Sequence, residues 1–144
     1  MSKITTVDEL IGRLNNRKEN EGVFQIMKNI DIPEEAFEPY CSWEPGKYTR
    51  NVLSRTDNTE LMLICWEPET ETTIHDYDKT EAWVHIISGK LSESKYKITD
   101  GKITPVASEI LEPSAFYFMD APVIHKFCNM NNGRTISLHF YPHP

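Results

Sequence analysis

The sequence predicts a mainly β protein, in which a short N-terminal helical segment precedes a barrel of two packed antiparallel sheets, the jelly-roll arrangement. Two observations carry this prediction. From residue 48 onward, short runs rich in β-branched and aromatic residues are separated by turn-forming residues. Helical spacing of apolar residues is confined to the stretch before these runs. Many short strands of this kind close into sandwiches or barrels, whose interior can hold a ligand or a metal.

The helical segment is predicted from three patterns. Thr6 stands three residues before Glu9, which is the capping-box pattern, and apolar residues then recur at helical spacing, so a helix is predicted over residues 7–16. A second helical pattern lies at residues 23–27. Residues 31–37 resemble a short helix with a proline in its first turn. The three patterns place all predicted helices ahead of the barrel.

The barrel is predicted from β-rich runs and two turn signals. Strands are expected at residues 48–55, 60–66, 83–88, 91–98, 115–119, 124–129 and 135–141. Gly89 separates two of these runs, and the pair Asp100-Gly101 is a hairpin signal. No linker or repeat divides the chain, so one domain is expected over residues 1–144, with helices over residues 1–40 and the barrel over residues 46–142.

The composition argues against several classes of partner. The formal net charge is −7, and no cluster of basic residues offers a surface for nucleic-acid phosphates. The longest apolar run, residues 61–66, is far shorter than the roughly 20 residues of a membrane span. The N-terminus shows no export signal, and three widely spaced cysteines suit a reducing compartment. We therefore expect a cytoplasmic monomer with neither a nucleic-acid nor a membrane partner.

Three residues form a candidate metal site. His75 and Tyr77 are two residues apart in a β-favouring context, so both can point into the barrel. His125 is supplied by a later predicted strand. Neutral imidazoles from two strands are good ligands for Fe(II), Zn(II) or Cu(II). The alternative is that each histidine is a hydrogen-bonded core or rim residue.

Ser137, His139 and Tyr141 form a second candidate group. They share one face of a predicted strand, so burial would align three hydrogen-bonding groups as a relay that orients a hydroxyl near a site. The alternative is a solvent-facing edge strand, which the same alternation predicts equally well. Ser137 and His139 are neighbours on one strand with no identified acid, so a hydrolytic triad is not indicated.

Tyr48 and Arg50 are a candidate substrate-binding pair. They lie on one face at the start of the first predicted strand. An arginine inside a barrel can bind a carboxylate in bidentate fashion and so favour anionic small molecules. The alternative is a surface arginine in a salt bridge.

Six motifs then occur in the order found in one enzyme family. They are YTRN, LMLICW, IHDY, SGKLSESKY, IHKFCN and SLHFY, and they extend from Tyr48 to Tyr141. In this combination the chain resembles the cysteine dioxygenase type I family, whose members are non-haem iron enzymes with a cupin-type jelly-roll barrel. The resemblance implies a cupin barrel preceded by a short N-terminal helical segment.

The resemblance also implies a role for each candidate residue. In the family three histidines hold Fe(II), and the matching positions are His75, Tyr77 and His125. Arg50 matches the arginine that binds the substrate carboxylate, and Tyr48 matches a tyrosine that lines the same site. The implied cofactor is therefore Fe(II), and the implied substrates are O₂ and L-cysteine or a related thiol.

The family's line of serine, histidine and tyrosine matches Ser137, His139 and Tyr141, with the tyrosine hydroxyl beside the iron. The implied activity is that of a thiol dioxygenase, which oxidises L-cysteine to cysteine sulfinate. Catalytic roles are implied for these three residues.

The sequence departs from the family pattern at two positions. Tyr77 stands where the second metal histidine is expected, and Ala82 stands where many members carry the cysteine that is crosslinked to the pocket tyrosine. Glu81 can replace the missing ligand, although a rim carboxylate is the favoured interpretation. Two other functions stay open: a protein of the same family with an altered or lost metal site, which binds an amino acid or is a weak oxygenase, and a cupin with another metal and reaction.

Overall fold

The computed structural model describes residues 2–18, 21–77, 81–113, 116–120 and 123–142, and for Tyr77, Asp120 and Val123 it describes the backbone alone. Two α-helices, α1 (Val7–Asn15) and α2 (Val23–Met27), and a 3-10 helix (Glu34–Tyr40) precede the strands. None of the described helices is long and apolar enough to cross a membrane.

The Thr6 half of the capping box predicted for α1 is present, whereas the Glu9 carboxylate accepts from the Thr5 amide and hydroxyl. Thr6 has an extended backbone, and its hydroxyl accepts a hydrogen bond of 3.1 Å from the Glu9 amide. The helix ends at Asn15, one residue earlier than predicted. The third helix differs more, because it begins at Glu34 and not at residue 31. A residue that precedes proline is held in the extended region, so the helix starts only after Pro33.

The strands form two antiparallel sheets. They are β1 (Tyr48–Arg55), β2 (Glu60–Trp66), β3 (His75–Tyr77), β4 (Glu81–Ser88), β5 (Leu91–Thr99), β6 (Lys102–Leu111), β7 (Phe116–Asp120), β8 (Val123–Cys128) and β9 (Thr135–Tyr141). One sheet has the order β1-β2-β9-β4-β7, and the other has the order β3-β8-β5-β6. The mainly β fold and its helical start are as predicted.

The predicted turn at Asp100-Gly101 joins β5 to β6. Both residues have positive φ angles, 52° and 77°, as a two-residue hairpin turn of this type requires. The strand predicted to start at residue 115 begins at Phe116, and residue 115 itself lies outside the described residues. The strand predicted to end at residue 129 ends at Cys128. The side-chain amide of Asn129 donates hydrogen bonds to the carbonyl oxygens of Glu67 and Gly133, so this residue belongs to the loop.

Strand β2 is buried on both faces. Its side chains on one face, Leu61, Leu63 and Cys65, join the core that the helical segment covers. On the other face Met62, Ile64 and Trp66 belong to the core between the two sheets. The helical segment therefore seals the outside of the five-stranded sheet, and the space between the sheets is left for a site.

Candidate functional site

A cavity of about 230 Å³ lies between the two sheets. Its lining is Tyr48, Arg50, Glu60, Met62, Ile64, Trp66, Thr72, His75, Phe127, His139 and Tyr141. The structure therefore brings together candidate residues from β1, β3 and β9 in one space. His125 and Ser137 do not line the cavity and instead contact residues that do.

His75 and His125 face each other across the pair of strands β3 and β8. They are directly opposite in register, and their ring centroids are 4.7 Å apart. His75 Nδ1 lies 2.8 Å from the Thr73 carbonyl oxygen, which can only accept a hydrogen bond. The proton of a neutral His75 is therefore on Nδ1, and Nε2 keeps a free lone pair for a metal.

His125 is oriented in the same way by a carboxylate. Its Nδ1 lies 2.8 Å from Oε2 of Glu93, and both side chains are almost fully buried. When Nδ1 donates to the carboxylate, Nε2 of His125 is also left as a ligand atom. Glu93 was not predicted as a site residue. The sequence pattern that indicates its inward position is its spacing, two residues after Leu91 on the same strand.

The donor set of this pair fits a divalent first-row metal such as Fe(II), because two imidazoles present Nε2 and each ring is fixed by a hydrogen bond. Among the described residues, no group of three His, Cys, Asp or Glu side chains is placed to hold a metal. The backbone of Tyr77 pairs with Val123, two residues along the two strands from the histidine pair. Tyr77 stays a predicted ligand, since its side chain lies outside what the structure describes.

Ser137 and His139 lie in the middle of the five-stranded sheet. Strand β9 runs between β2 and β4, so the interpretation as a solvent-facing edge strand is wrong. Ser137 Oγ is 2.7 Å from His139 Nε2 and accepts a hydrogen bond of 2.9 Å from the indole N–H of Trp66. Burial, with the nearby charges of Arg50 and His125, lowers the pKa of His139 to about 3. The imidazole is therefore neutral at physiological pH.

The predicted relay does not continue from His139 to Tyr141. His139 Nδ1 is buried and has no hydrogen-bond partner among the described residues, although the two rings stack with centroids 6.4 Å apart. Burial raises the pKa of Tyr141 to about 12; the charge of Glu60 adds to this shift and that of Arg50 opposes it. Tyr141 is therefore a phenol that keeps its proton.

Arg50 stands exposed at the cavity, with its guanidinium 5.9 Å from the centre of the Tyr48 ring. The Tyr48 ring in turn stacks on Trp66 at 4.9 Å. Within the described part of the chain Arg50 forms no salt bridge, so the predicted alternative of a surface salt bridge is not observed. Its fork of N–H donors is available to a carboxylate.

The family model for cysteine dioxygenase type I matches residues 3–144, which is almost the whole chain. The chain belongs to the cysteine dioxygenase type I family. It is 24% identical over 130 residues to cysteine dioxygenase type 1 of Homo sapiens, an alignment that covers 86% of this chain and 65% of the human protein. It is 23% identical to cysteine dioxygenase type 1 of Danio rerio, over 99% of this chain and 77% of that protein. The chain thus spans about two-thirds of the human relative's length.

Solved structures show the same cupin fold in other proteins. A cupin superfamily protein from Desulfitobacterium hafniense matches with a TM-score of 0.56 and 14% identity, over 72% of this chain and 84% of that chain. A cupin domain from Bordetella pertussis matches with a TM-score of 0.54 and 14% identity, over 72% of this chain and 100% of that chain. The predicted cupin-type barrel is confirmed by these neighbours.

The structure also describes two further positions that the sequence singles out, Ala82 and Glu81. Ala82 is fully buried in the core between the sheets, and Tyr141 packs against the same core. The side chain of Ala82 is a methyl group, which provides no sulfur for a crosslink to Tyr141. Glu81 begins β4 opposite Asp120 and does not line the cavity, in agreement with the favoured interpretation as a rim carboxylate.

Proposed function

We propose that this member of the cysteine dioxygenase type I family is a non-haem iron thiol dioxygenase, which oxidises L-cysteine to cysteine sulfinate with O₂. The observation that carries the proposal is the cavity that Arg50 and His75 line, with His125 in ring contact with His75. Among the described residues the Arg50 guanidinium has no salt bridge, and the Nδ1 hydrogen bonds of both imidazoles leave Nε2 as the ligand atom. The first group suits the carboxylate of an amino acid, and the second suits Fe(II).

The overall reaction joins one thiol and one O₂ to give one sulfinic acid, with both oxygen atoms transferred to sulfur. His75 and His125 would hold Fe(II), and the bound metal supplies the redox chemistry that lets the thiol and O₂ react. Arg50 binds the carboxylate and so fixes the position of the sulfur relative to the metal. Tyr48 and Trp66 form the stacked wall beside the arginine.

The proton-bearing groups of the cavity complete the proposal. Tyr141 keeps its phenolic proton, because its pKa is raised to about 12. His139 is neutral, and it cannot add a positive charge to the site at physiological pH. Tyr141 lines the cavity, and its phenol is therefore a donor that can stabilise negative charge developing on oxygen or sulfur.

The test is anaerobic loading with Fe(II), followed by measurement of O₂ uptake and of sulfinate formed from L-cysteine. We expect stoichiometric iron, O₂ consumption and sulfinate. The variant Tyr77→His is run alongside, because it restores a third imidazole. If the unaltered chain takes up no iron and forms no sulfinate, and both appear in Tyr77→His, the unaltered chain is not a dioxygenase.

A second function is favoured by the absence, among the described residues, of a third His, Cys, Asp or Glu ligand. A chain of this kind would use Arg50 to bind an amino acid without redox chemistry. Calorimetric titration of the metal-free protein with L-cysteine and with L-serine separates the two functions. Equal binding of both amino acids without metal, together with no sulfinate from the iron-loaded protein, would support the binding protein.

A further inference from the structure

Trp66 makes a hydrogen bond to Ser137 that affects which ring nitrogen of His139 carries the proton. The side chain is fully buried, and its indole Nε1–H donates to Ser137 Oγ at 2.9 Å. An indole nitrogen is only ever a donor. Ser137 Oγ is therefore an acceptor in this contact, whatever else it does.

The second contact of Ser137 is with His139 Nε2 at 2.7 Å. The serine hydroxyl has a single hydrogen to donate, and His139 is the acceptor placed to receive it. If Nε2 carried the proton instead, Ser137 Oγ would accept two hydrogen bonds and its own buried O–H would have no acceptor. Buried polar groups without partners are disfavoured, so the first arrangement prevails.

The consequence is felt at the other ring nitrogen of His139. A neutral imidazole whose Nε2 accepts must carry its proton on Nδ1. Within the described residues, Nδ1 of His139 is buried and has no hydrogen-bond partner. The position of the imidazole proton is therefore determined by the Ser137 contact at Nε2 and not by a partner at Nδ1.

We propose that Trp66 is a positioning residue, which acts through Ser137 to hold His139 as the Nδ1–H tautomer, with the unprotonated Nε2 facing the Ser137 hydroxyl. The tautomer follows from the hydrogen bonds alone and does not rest on the proposed function.

The test is the tautomer of His139 in the metal-free protein at pH 7. Proton–nitrogen correlation spectra of protein labelled with ¹⁵N-histidine distinguish a protonated from an unprotonated ring nitrogen, and His139→Gln assigns the signals. We expect one tautomer, protonated at Nδ1, in the unaltered chain. In Trp66→Phe the donor to Ser137 is lost, and we expect both tautomers.

Two further variants keep the result interpretable. Ser137→Ala removes the contact with little change in volume and should also give both tautomers, so the test survives if Trp66→Phe does not fold. Trp83→Phe is the matched control, because Trp83 Nε1 has no hydrogen-bond partner and its loss should leave His139 unchanged.

Protonation of His139 at Nε2 in the unaltered chain would overturn the proposal. A single unchanged Nδ1–H tautomer in both Trp66→Phe and Ser137→Ala would overturn it as well. The measurement uses neither iron nor O₂, so it stands apart from the proposed function. If the unaltered chain has a single His139 tautomer but forms no sulfinate, only the proposed dioxygenase function is refuted. If it forms sulfinate but contains both tautomers, only the role of Trp66 is refuted.

Discussion

At the scale of single residues, the cavity is built from groups whose hydrogen-bonding capacity is already assigned. The Nδ1 atoms of His75 and His125 are occupied by a carbonyl and a carboxylate. The phenol of Tyr141 keeps its proton, and the guanidinium of Arg50 has no ion-pair partner among the described residues. Each of these groups therefore has its own hydrogen-bonding or charge role, and each can be tested separately.

Replacement of Arg50 tests the carboxylate site. In Arg50→Gln we expect the KM for L-cysteine to rise about 10- to 100-fold, because hydrogen bonds to a charged group contribute roughly 1.5–3 kcal/mol. Steady-state sulfinate formation measures this change. Cysteamine, a thiol without a carboxylate, is the control substrate, and its KM should change little. An equal rise for both thiols would show that Arg50 acts on the cavity as a whole.

Replacement of Glu93 tests the orientation of His125. Glu93→Gln keeps an oxygen acceptor and removes the charge, and we expect metal affinity to fall about 10- to 100-fold. Anaerobic titration with Fe(II), or titration with Co(II), measures the affinity without turnover. Glu109→Gln is the matched control, because Glu109 is exposed and directly opposite Glu93 in register. Equal losses in both variants would contradict a specific role for Glu93.

The buried imidazole of His139 predicts a pH dependence of stability. Its pKa is about 3 in the folded protein and near 6.5 when unfolded, so only the unfolded chain takes up this proton between those values. The contribution of neutral His139 to stability is complete above pH 6.5 and is lost as the pH falls toward 3.

Urea unfolding at pH 7 and pH 5 measures this contribution. Because His139→Gln lacks the titrating group, the unaltered chain should lose about 2 kcal/mol more than the variant between these pH values. The other histidines are common to both proteins and cancel in the comparison. Equal losses in the two proteins would show that His139 is protonated in the folded state.

At the scale of elements, most strands and the turn at Asp100-Gly101 were predicted from the sequence, whereas strand β6 and several contacts that shape the site were not. Alternation and turn residues are local signals, so β1, β2 and β9 were predicted with the observed bounds. The partners Trp66 and Ser137 are 71 residues apart, and Glu93 and His125 are 32 apart. Register between distant strands is set by packing, which no local pattern reports.

The same limit applies to the candidate residues themselves. Their types and spacing allowed inward positions for Arg50, His75 and His139 but left rim or surface positions open, and the structure brings all three to one cavity. The absence of a hydrogen bond between His139 and Tyr141 could not be predicted, because it depends on the exact position of the Tyr141 ring. Glu60, another cavity residue, reads in the sequence as an ordinary charge at the start of a strand.

At Gly89, in the turn between β4 and β5, we expect a larger side chain to lower the free energy of unfolding. Gly89 has a φ of 77°, and a Cβ there would lie 2.4 Å from Thr135 Oγ1 and 2.7 Å from the Arg134 carbonyl oxygen. Gly101 has the same φ and open space around it. Gly101→Ala therefore carries backbone strain alone, about 1 kcal/mol, and Gly89→Ala carries strain and a clash.

We expect Gly89→Ala to lower the free energy of unfolding by roughly 1–3 kcal/mol more than Gly101→Ala, as overpacking does elsewhere. Chemical denaturation of both variants measures the difference. If the two variants lose the same free energy, the close approach of β9 to this turn is not rigid.

At the scale of the whole molecule, the helical segment and the barrel share a core. Leu10 and Phe37 from the helices and Leu138 from β9 belong to one buried cluster. Removal of the helices would expose the outer face of the five-stranded sheet to water. The shared core supports one domain over residues 1–144, which stays a prediction.

One domain predicts one unfolding transition. Far-ultraviolet circular dichroism, which follows helices and strands, and tryptophan fluorescence, which follows Trp43, Trp66 and Trp83, should report the same midpoint. A separate early loss of helical signal would show that the segment folds independently of the barrel. The oligomeric state, expected to be monomeric, is read from sedimentation of the same samples.

The burial of β2 on both faces makes the strand sensitive to a change in length. A single inserted residue would shift every following side chain to the opposite face. Leucines that now pack under the helices would enter the cavity, and Trp66 would leave it. Insertions and deletions in β2 should therefore impair the protein more than substitutions do, because a single alternation of side chains along this strand builds both the outer core and the cavity wall.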